Sequence, residues 1–298
     1  MRSRKPGKID GNLWCLGAEE SAVYLLRGKT GTALINGGLR YILPGVLTQM
    51  REFDLDPEDI TKFLILHSHF DHVGIVPYFK RNHPAIEVLA SEAALMAFEN
   101  PKAIEFINSY NQLSAGKMNE SLEGFDLEWR SDIQVLPVRE GDVIDLGGVS
   151  LRIYETPGHS NCSISAYEPD AGILFASDSV GIPFSDKLIP AMNTNIEQYL
   201  NSLEKLRHVK VNVFCADHYG FITGEEARRV VSDGIREAST LKMQVYEIFR
   251  RNASNIDAAA KEITTAFYSE MPGYFLEPEI LEGVFKQTFK YIQRTLEA

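Results

Sequence analysis

The sequence predicts an α/β fold for most of this 298-residue chain, and three observations predict it. Short apolar runs typical of buried strands recur up to about residue 222, separated by Gly and polar turns. Helix-like segments alternate with these runs. Polar side chains that can bind ligands follow the ends of several strands, where an α/β fold collects its functional groups.

The first half of the chain is expected to begin with strands and to continue with helices. The predicted strands are apolar runs bounded by turns, at residues 13–16, 22–27, 32–36 and 63–66. The predicted helices of this half lie at residues 41–53, 73–81, 91–99 and 101–116. Ser91 and Asn100 stand where N-caps are expected, as does Asn195 before the helix predicted in the second half.

The second half repeats the alternation and then becomes purely helical. A second set of strands is predicted within 133–176, with clear runs at 149–155 and 172–176, and is followed by a helix at 195–207 and a strand at 211–215. After Gly224 the helix-like segments lie at 225–251, 256–269 and 279–296. We therefore expect a catalytic domain over residues 1–223 and a helical extension over 224–298.

One short segment concentrates ligand chemistry directly after the strand predicted at 63–66. It contains three of the seven histidines of the chain and reads His67-Ser68-His69-Phe70-Asp71-His72. Side chains alternate in an extended segment, so His67 and His69 should lie on the same side. Two imidazoles can then reach one metal ion while Asp71 and His72 reach another.

Three more candidate ligands follow later strands. His159 comes after the run at 149–155, Asp178 after the run at 172–176 and His218 after the run at 211–215. A single histidine is more often a core or surface residue than a ligand. Four segments in this order, each after a strand, favour one metal site built from all of them.

The order H-x-H-x-D-H, P-G-H, a strand-end Asp and a late His resembles the metallo-β-lactamase fold superfamily over residues 10–222. This resemblance implies an αββα sandwich of two mixed sheets with helices outside. Within the superfamily the chain looks most similar to the glyoxalase II-like thioesterases, and in layout to the thioesterase of quinolone-signal biosynthesis. In such relatives a helical tail covers the metal cleft, so Phe267, Tyr268, Tyr274 and Phe275 are candidate pocket residues beside the simpler interpretation as helix core.

The resemblance also implies a ligand set and a mechanism. His67, His69 and His159 would hold one divalent ion, Asp71, His72 and His218 a second, and Asp178 would bridge both. The ions would be zinc, iron or manganese, since imidazole and carboxylate suit all three. A metal-bridging hydroxide would attack the substrate carbonyl, with Asp71 steering its proton.

The leaving group separates the enzymatic hypotheses. A thiolate, with a conjugate acid of pKa about 8.5, leaves without a strong general acid, which favours a thioester of coenzyme A or glutathione. Related lactonases carry a Tyr three residues after the bridging Asp, where this chain has Gly181, although Tyr219 is a candidate substitute. Lactone, ester or phosphodiester hydrolysis stays open, as does a regulatory protein that keeps the metals and binds a partner.

Composition bears on partners and location. The net charge of −11 opposes attraction to nucleic acid. No run approaches the roughly 20 apolar residues of a membrane span, and Cys15, Cys162 and Cys215 form no disulfide framework. We expect a cytoplasmic enzyme with a small-molecule substrate, no nucleic-acid or membrane partner, and a homodimer as one option.

Overall fold

The computed structural model describes residues 1–118 and 121–297. Within these ranges the chain forms two compact units. Of the described residues, the first contains those within Met1–Glu155, Cys162–Ser177 and Val209–Arg229, and the second contains Thr156–Asn161, Asp178–His208 and 230–297. The described helices include none that is both long and apolar enough to cross a membrane.

The first unit contains two seven-stranded mixed sheets. Sheet one has the order β2-β3-β4-β5-β6-β7-β8, and its strands are β2 (Gly7–Asp10), β3 (Leu13–Ala18), β4 (Ser21–Arg27), β5 (Thr32–Ile35), β6 (Ile60–Leu64), β7 (Glu87–Ser91) and β8 (Val135–Val138). Sheet two has the order β1-β16-β15-β12-β11-β10-β9, and its strands are β1 (Arg2–Ser3), β9 (Val143–Asp145), β10 (Ser150–Glu155), β11 (Ile164–Glu168), β12 (Ile173–Phe175), β15 (Val213–Cys215) and β16 (Phe221–Thr223). The remaining pair, β13 (Ile182–Phe184) and β14 (Lys187–Ile189), is an antiparallel hairpin of the second unit.

Strand β4 shows that sheet one packs against a different apolar cluster on each of its two faces. Tyr24 and Leu26 belong to one apolar cluster, which contains side chains from both sheets. Val23 and Leu25 point the other way, into a second cluster that sheet one shares with its helices. Because side chains alternate along a strand, a strand buried on both faces must be apolar at every position.

The helices lie where the sequence predicts most of them. They are α1 (Leu43–Glu52), α2 (Val76–Asn82), α3 (Glu92–Glu99), α4 (Pro101–Met118), α5 (Ile196–Leu206), α6 (Glu225–Arg251), α7 (Ile256–Glu270) and α8 (Pro278–Glu297). Ser91 and Asn195 accept hydrogen bonds from the backbone N–H groups of Ala94 and Gln198, which confirms both as N-caps.

Together, the two mixed sheets and the helices confirm the predicted sandwich with a helical C-terminus.

Some local predictions were wrong. Strand β7 and the β13–β14 hairpin were not predicted. Strand β6 ends at Leu64 rather than at residue 66 because the chain changes sheets: Ile65 donates to the Leu89 carbonyl of sheet one, whereas Leu66 accepts from Ile164 of sheet two. His67 follows directly after this change of sheet.

The helix predicted at 73–81 begins later, at Val76. The N–H groups of Gly74 and Ile75 donate to the carbonyls of Gly38 and Gly37, so they are not part of the helix. A 3₁₀ turn at Phe70–His72 occupies the space before it. The division predicted at residue 223 is not tested by these observations and stays a prediction.

Candidate metal centre

Five of the seven candidate ligands lie in the first unit: His67, His69, Asp71, His72 and His218. The ring of His67 lies 4.6 Å from that of His69 and 4.0 Å from that of His72, centroid to centroid. The ring of His72 lies 5.0 Å from that of His218. The structure thus brings four imidazoles and one carboxylate of this unit together.

Backbone contacts hold the motif in place. The side chain of Asn111 on α4 donates to the Phe70 carbonyl at 2.6 Å and accepts from the Arg40 N–H at 2.9 Å. The His72 N–H closes the 3₁₀ turn on the His69 carbonyl at 3.1 Å. The turn therefore directs consecutive ligands to one place although they are adjacent in sequence.

Asp71, His72 and His218 are spaced as metal ligands rather than as hydrogen-bond partners. Asp71 Oδ2 lies 3.6 Å from His72 Nε2 and 3.7 Å from His218 Nε2. Hydrogen bonds are shorter, about 3.2 Å at most, whereas two ligands of a tetrahedral zinc ion stand roughly 3.4 Å apart. One ligand atom from each of the three residues lies within 4.8 Å of the others. The donor set and its spacing fit a divalent metal ion.

A polar group lies within hydrogen-bond distance of Nδ1 in His218, His72 and His67. His218 Nδ1 lies 2.6 Å from the Glu20 carbonyl, and His72 Nδ1 lies 3.0 Å from Asp217 Oδ2. His67 Nδ1 lies 3.1 Å from Ser177 Oγ. A carbonyl oxygen only accepts, so the proton of His218 sits on Nδ1, and such a ring offers its lone pair at Nε2. Metal-binding histidines are held this way.

The second unit contains His159 and Asp178, which also lie together. His159 Nε2 is 3.2 Å from Asp178 Oδ2, and His159 Nδ1 is 2.9 Å from the Ala191 carbonyl. The Tyr199 hydroxyl donates to the backbone carbonyl of Asp178 at 3.2 Å. Burial raises the pKa of Tyr199 well above its usual value, so this hydroxyl stays a donor.

Close contact around His159 requires a glycine before it. Gly158 has φ +133°, and a Cβ there would lie 2.3 Å from the Tyr199 Cα on α5. No other residue fits that space or that backbone conformation comfortably. The phrase Pro157-Gly158-His159 therefore has a steric reason as well as a chemical one.

Most of these candidate ligands are deeply buried. His67 and His72 are fully buried, while the side chain of Asp71 keeps 13% of its surface exposed. His69 is also partly exposed. Small molecules in solvent can therefore approach this group from the side of His69 and Asp71.

Sequence reasoning missed several residues that support the ligands. Asp217 and Ser177 were passed over as ligand neighbours, and Asn36 and Tyr199 were not considered. Asn36 is buried in the left-handed conformation, with φ +67°, and its Oδ1 lies 3.2 Å from His72 Nδ1. A polar residue just after an apolar strand is the signal that could have identified it.

The two histidines outside the candidate ligand set, and the cysteine and aromatic residues noted in the sequence, have different surroundings. His83 pairs with Glu58 at 3.0 Å, and His208 is exposed. The three cysteines are buried and form no disulfide bond. In the second unit the rings of Phe267 and Tyr274 contact each other at 5.0 Å, and Tyr274 is buried. Their role in lining a pocket stays a prediction.

Comparison with known proteins identifies the family. The profile of the Metallo-beta-lactamase superfamily matches residues 16–218, so the chain belongs to this superfamily, as the motif order predicts. Together with the clusters of His and Asp, membership defines it as a metal-dependent hydrolase with a His/Asp metal site.

Individual relatives are distant. The chain is 27% identical to an acyl-coenzyme A thioesterase MBLAC2 of Homo sapiens over 72% of its own length and 79% of that protein. It is 38% identical to a hydroxyacylglutathione hydrolase of Idiomarina loihiensis over 59% of its own length and 54% of that protein. The crystal structure of a metallo-beta-lactamase family protein from Thermus thermophilus aligns with a TM-score of 0.65 at 20% identity, covering 97% of this chain and 95% of that one. At this identity the likeness shows the fold alone.

Proposed function

We propose that this protein is a dinuclear metal-dependent thioesterase whose substrate is an acyl thioester of coenzyme A or glutathione. The observation that carries the proposal is the spacing of Asp71, His72 and His218, which suits a metal ion and is too long for hydrogen bonds. Two relatives support the thioester: by name, one acts on acyl-coenzyme A and the other on hydroxyacylglutathione.

The proposed ligand set uses all seven candidates. We assign His67, His69 and His159 to one ion, Asp71, His72 and His218 to the other, and Asp178 to both. When bound, two divalent ions polarise the substrate carbonyl and bring the pKa of a coordinated water near neutrality. Asp71, whose carboxylate is partly exposed, would accept and steer a proton from water at this site.

Cleavage of a thioester requires few further catalytic groups from the chain. The thiolate leaves without a strong general acid because its conjugate acid has a pKa of about 8.5. A lactone expels an alkoxide and benefits from a donor such as Tyr. Gly181 cannot be such a donor, and a side chain would not fit there: φ is +130° and a Cβ would lie 2.9 Å from Leu188 Cγ. The ring of Tyr219 lies 5.0 Å from the Arg4 guanidinium and is buried. Both observations favour the thioester over the lactone.

Aromatic side chains next to the motif suggest an apolar acyl group. Phe70 stands between His69 and Asp71, and its ring lies 5.2 Å from that of Tyr110 on α4. Phe106, one turn earlier on α4, lies 4.2 Å from the Tyr110 ring and is 50% exposed. Large apolar groups left exposed beside a reaction site commonly contact the substrate.

The test is thiol release from a series of acyl-coenzyme A and acyl-glutathione thioesters by protein loaded separately with zinc, manganese or ferrous iron. Turnover that disappears in Asp178→Asn and persists in the control His208→Asn supports the proposal and identifies the carrier. His208 is an exposed histidine outside the ligand set.

Two outcomes of this experiment would contradict the proposed function. If no metal supports thioester cleavage, the thioesterase proposal is wrong, and lactones, esters and phosphodiesters are tested next. Bound metal without any hydrolytic activity, together with a stable complex in a pull-down, would favour a regulatory protein.

A further inference from the structure

The carboxylate of Asp217 contacts two separate histidine systems. Asp217 is 1% exposed and lies in the turn between β15 and β16. Its Oδ2 lies 3.0 Å from His72 Nδ1 and also accepts a hydrogen bond from the Ser177 hydroxyl. The Ser177 oxygen in turn lies 3.1 Å from His67 Nδ1.

The direction of each proton follows from the chemistry of the donors. The carboxylate only accepts, so Ser177 donates to it and the Ser177 oxygen is left to accept from the N–H of His67. His72 donates its Nδ1–H to the carboxylate and shares it with Asn36 Oδ1 at 3.2 Å. One anion therefore fixes the tautomer of two imidazoles, one directly and one through a hydroxyl.

We infer that Asp217 is a positioning residue that prepares both proposed metal sites at once, His67 for the first ion and His72 for the second. This inference rests on the dinuclear site proposed above. A carboxylate behind a metal-binding imidazole holds the ring orientation and makes the ligand more basic, and its loss lowers metal affinity by roughly 10- to 100-fold. Because one carboxylate serves both rings, its loss weakens both sites together.

The other anchored histidines have a different environment. His218 and His159 donate to the backbone carbonyls of Glu20 and Ala191, which carry no net charge. The Asp217 charge holds the imidazole of His72 directly and that of His67 through Ser177, and this contrast makes the inference testable.

The surrounding backbone keeps Asp217 in place. Its carbonyl accepts from the Ala22 N–H at 2.8 Å, and the Tyr24 hydroxyl lies 2.6 Å from the Ala216 carbonyl beside it. Ser177 has φ +47°, a strained conformation for a residue with a side chain. Ser177 connects two candidate ligands. Backbone strain is retained at such a residue when the position of its side chain matters for function.

The experiment compares full-length Asp217→Asn, Ser177→Ala and the wild type, each loaded with Co²⁺. The coordinated imidazoles give paramagnetically shifted, exchangeable N–H proton signals. We expect Asp217→Asn to move the signals of both His67 and His72, and to lower Co²⁺ affinity at both sites by roughly 10- to 100-fold in chelator competition. Ser177→Ala should move the His67 signal more than that of His72. The signals of His159 and His218 should stay in place in both variants.

The control is Asp170→Asn, the same change at an exposed carboxylate. Unchanged signals and affinity in Asp217→Asn would overturn the inference, as would an equal shift of all histidine signals, which indicates general misfolding. A wild type that binds no Co²⁺ would overturn the dinuclear site itself. A wild type that binds two Co²⁺ ions but cleaves no thioester would overturn only the proposed substrate.

Discussion

The hydroxyl of Tyr24 lies 2.6 Å from the carbonyl oxygen of Ala216, and it also lies 2.8 Å from the Gly220 carbonyl. Tyr24 is fully buried on β4 of sheet one, while both acceptors flank the turn that carries Asp217 and His218. One phenol from sheet one therefore braces the ligand-bearing turn of sheet two.

Replacing this phenol tests how much the brace contributes. Tyr24→Phe removes the hydroxyl donor of the Ala216 carbonyl, whereas the Gly220 carbonyl still accepts from the Ala216 N–H, so we expect the free energy of unfolding to fall by about 1–3 kcal/mol. Urea denaturation of the metal-free protein measures this. Tyr154→Phe, at a partly buried position on β10, is the control and should change stability little; an equal loss in both variants would contradict the assignment.

Metal removal should destabilise the folded protein. A metal that binds the native state alone stabilises it by about 4 kcal/mol when the free metal concentration is 1,000 times Kd. We expect a strong chelator to lower the Tm of the wild type and to have a smaller effect on His218→Asn. His208→Asn should respond like the wild type. Identical melting with and without chelator in the wild type would argue against a metal site.

The glycine before His159 gives a steric prediction. Gly158→Ala places a Cβ 2.3 Å from the Tyr199 Cα at φ +133°, so we expect a loss of at least about 1 kcal/mol and weaker metal binding through the displaced imidazole. Gly283→Ala on α8 meets no atom within 4 Å and should stabilise by about 0.5–1 kcal/mol. Calorimetry of both variants distinguishes steric conflict from a general effect of alanine.

Alkaline pH should weaken the fold through its buried thiols. Burial raises the pKa of Cys15 from 9.0 to about 12. Between these values the unfolded thiol ionises while the folded one does not, so the folded state binds more protons and stability falls as pH rises. We expect Cys15→Ala to reduce the slope of unfolding free energy against pH between 9 and 12. A slope equal to that of the wild type would show that other groups cause the loss.

The exposed ring of Phe106 predicts acyl-chain selectivity. Phe106→Ala should raise KM for long or aromatic acyl thioesters by several-fold and leave acetyl thioesters unchanged, because only a large acyl group reaches that ring. Met96→Ala, at a similarly exposed apolar position on α3, is the control. A uniform change across all acyl groups would contradict a role in acyl recognition.

Much of the fold was predictable because its signals are local. The strands β3, β4 and β5 are apolar runs between turns, and Ser91 and Asn195 mark helix starts by their capping chemistry. Strand β7 was missed although it is longer than β5; its parallel partners, β6 and β8, lie far away in sequence, so its pairing leaves no local signal. The early end of β6 depends on Leu66 bonding to the other sheet, which no local pattern contains.

The sequence by itself determined the family and the chemical identity of the candidate ligands. This was possible because a short motif such as His67 to His72 contains both the types of the ligands and their spacing. Only the tertiary structure decided how those ligands are held. Asp217, Ser177 and Asn36 come from separate strands or turns, and their contacts with the histidines arise from the packing of two sheets rather than from sequence proximity. A motif can therefore predict which atoms bind, whereas the orientation of each imidazole depends on residues that are neighbours only in the folded chain.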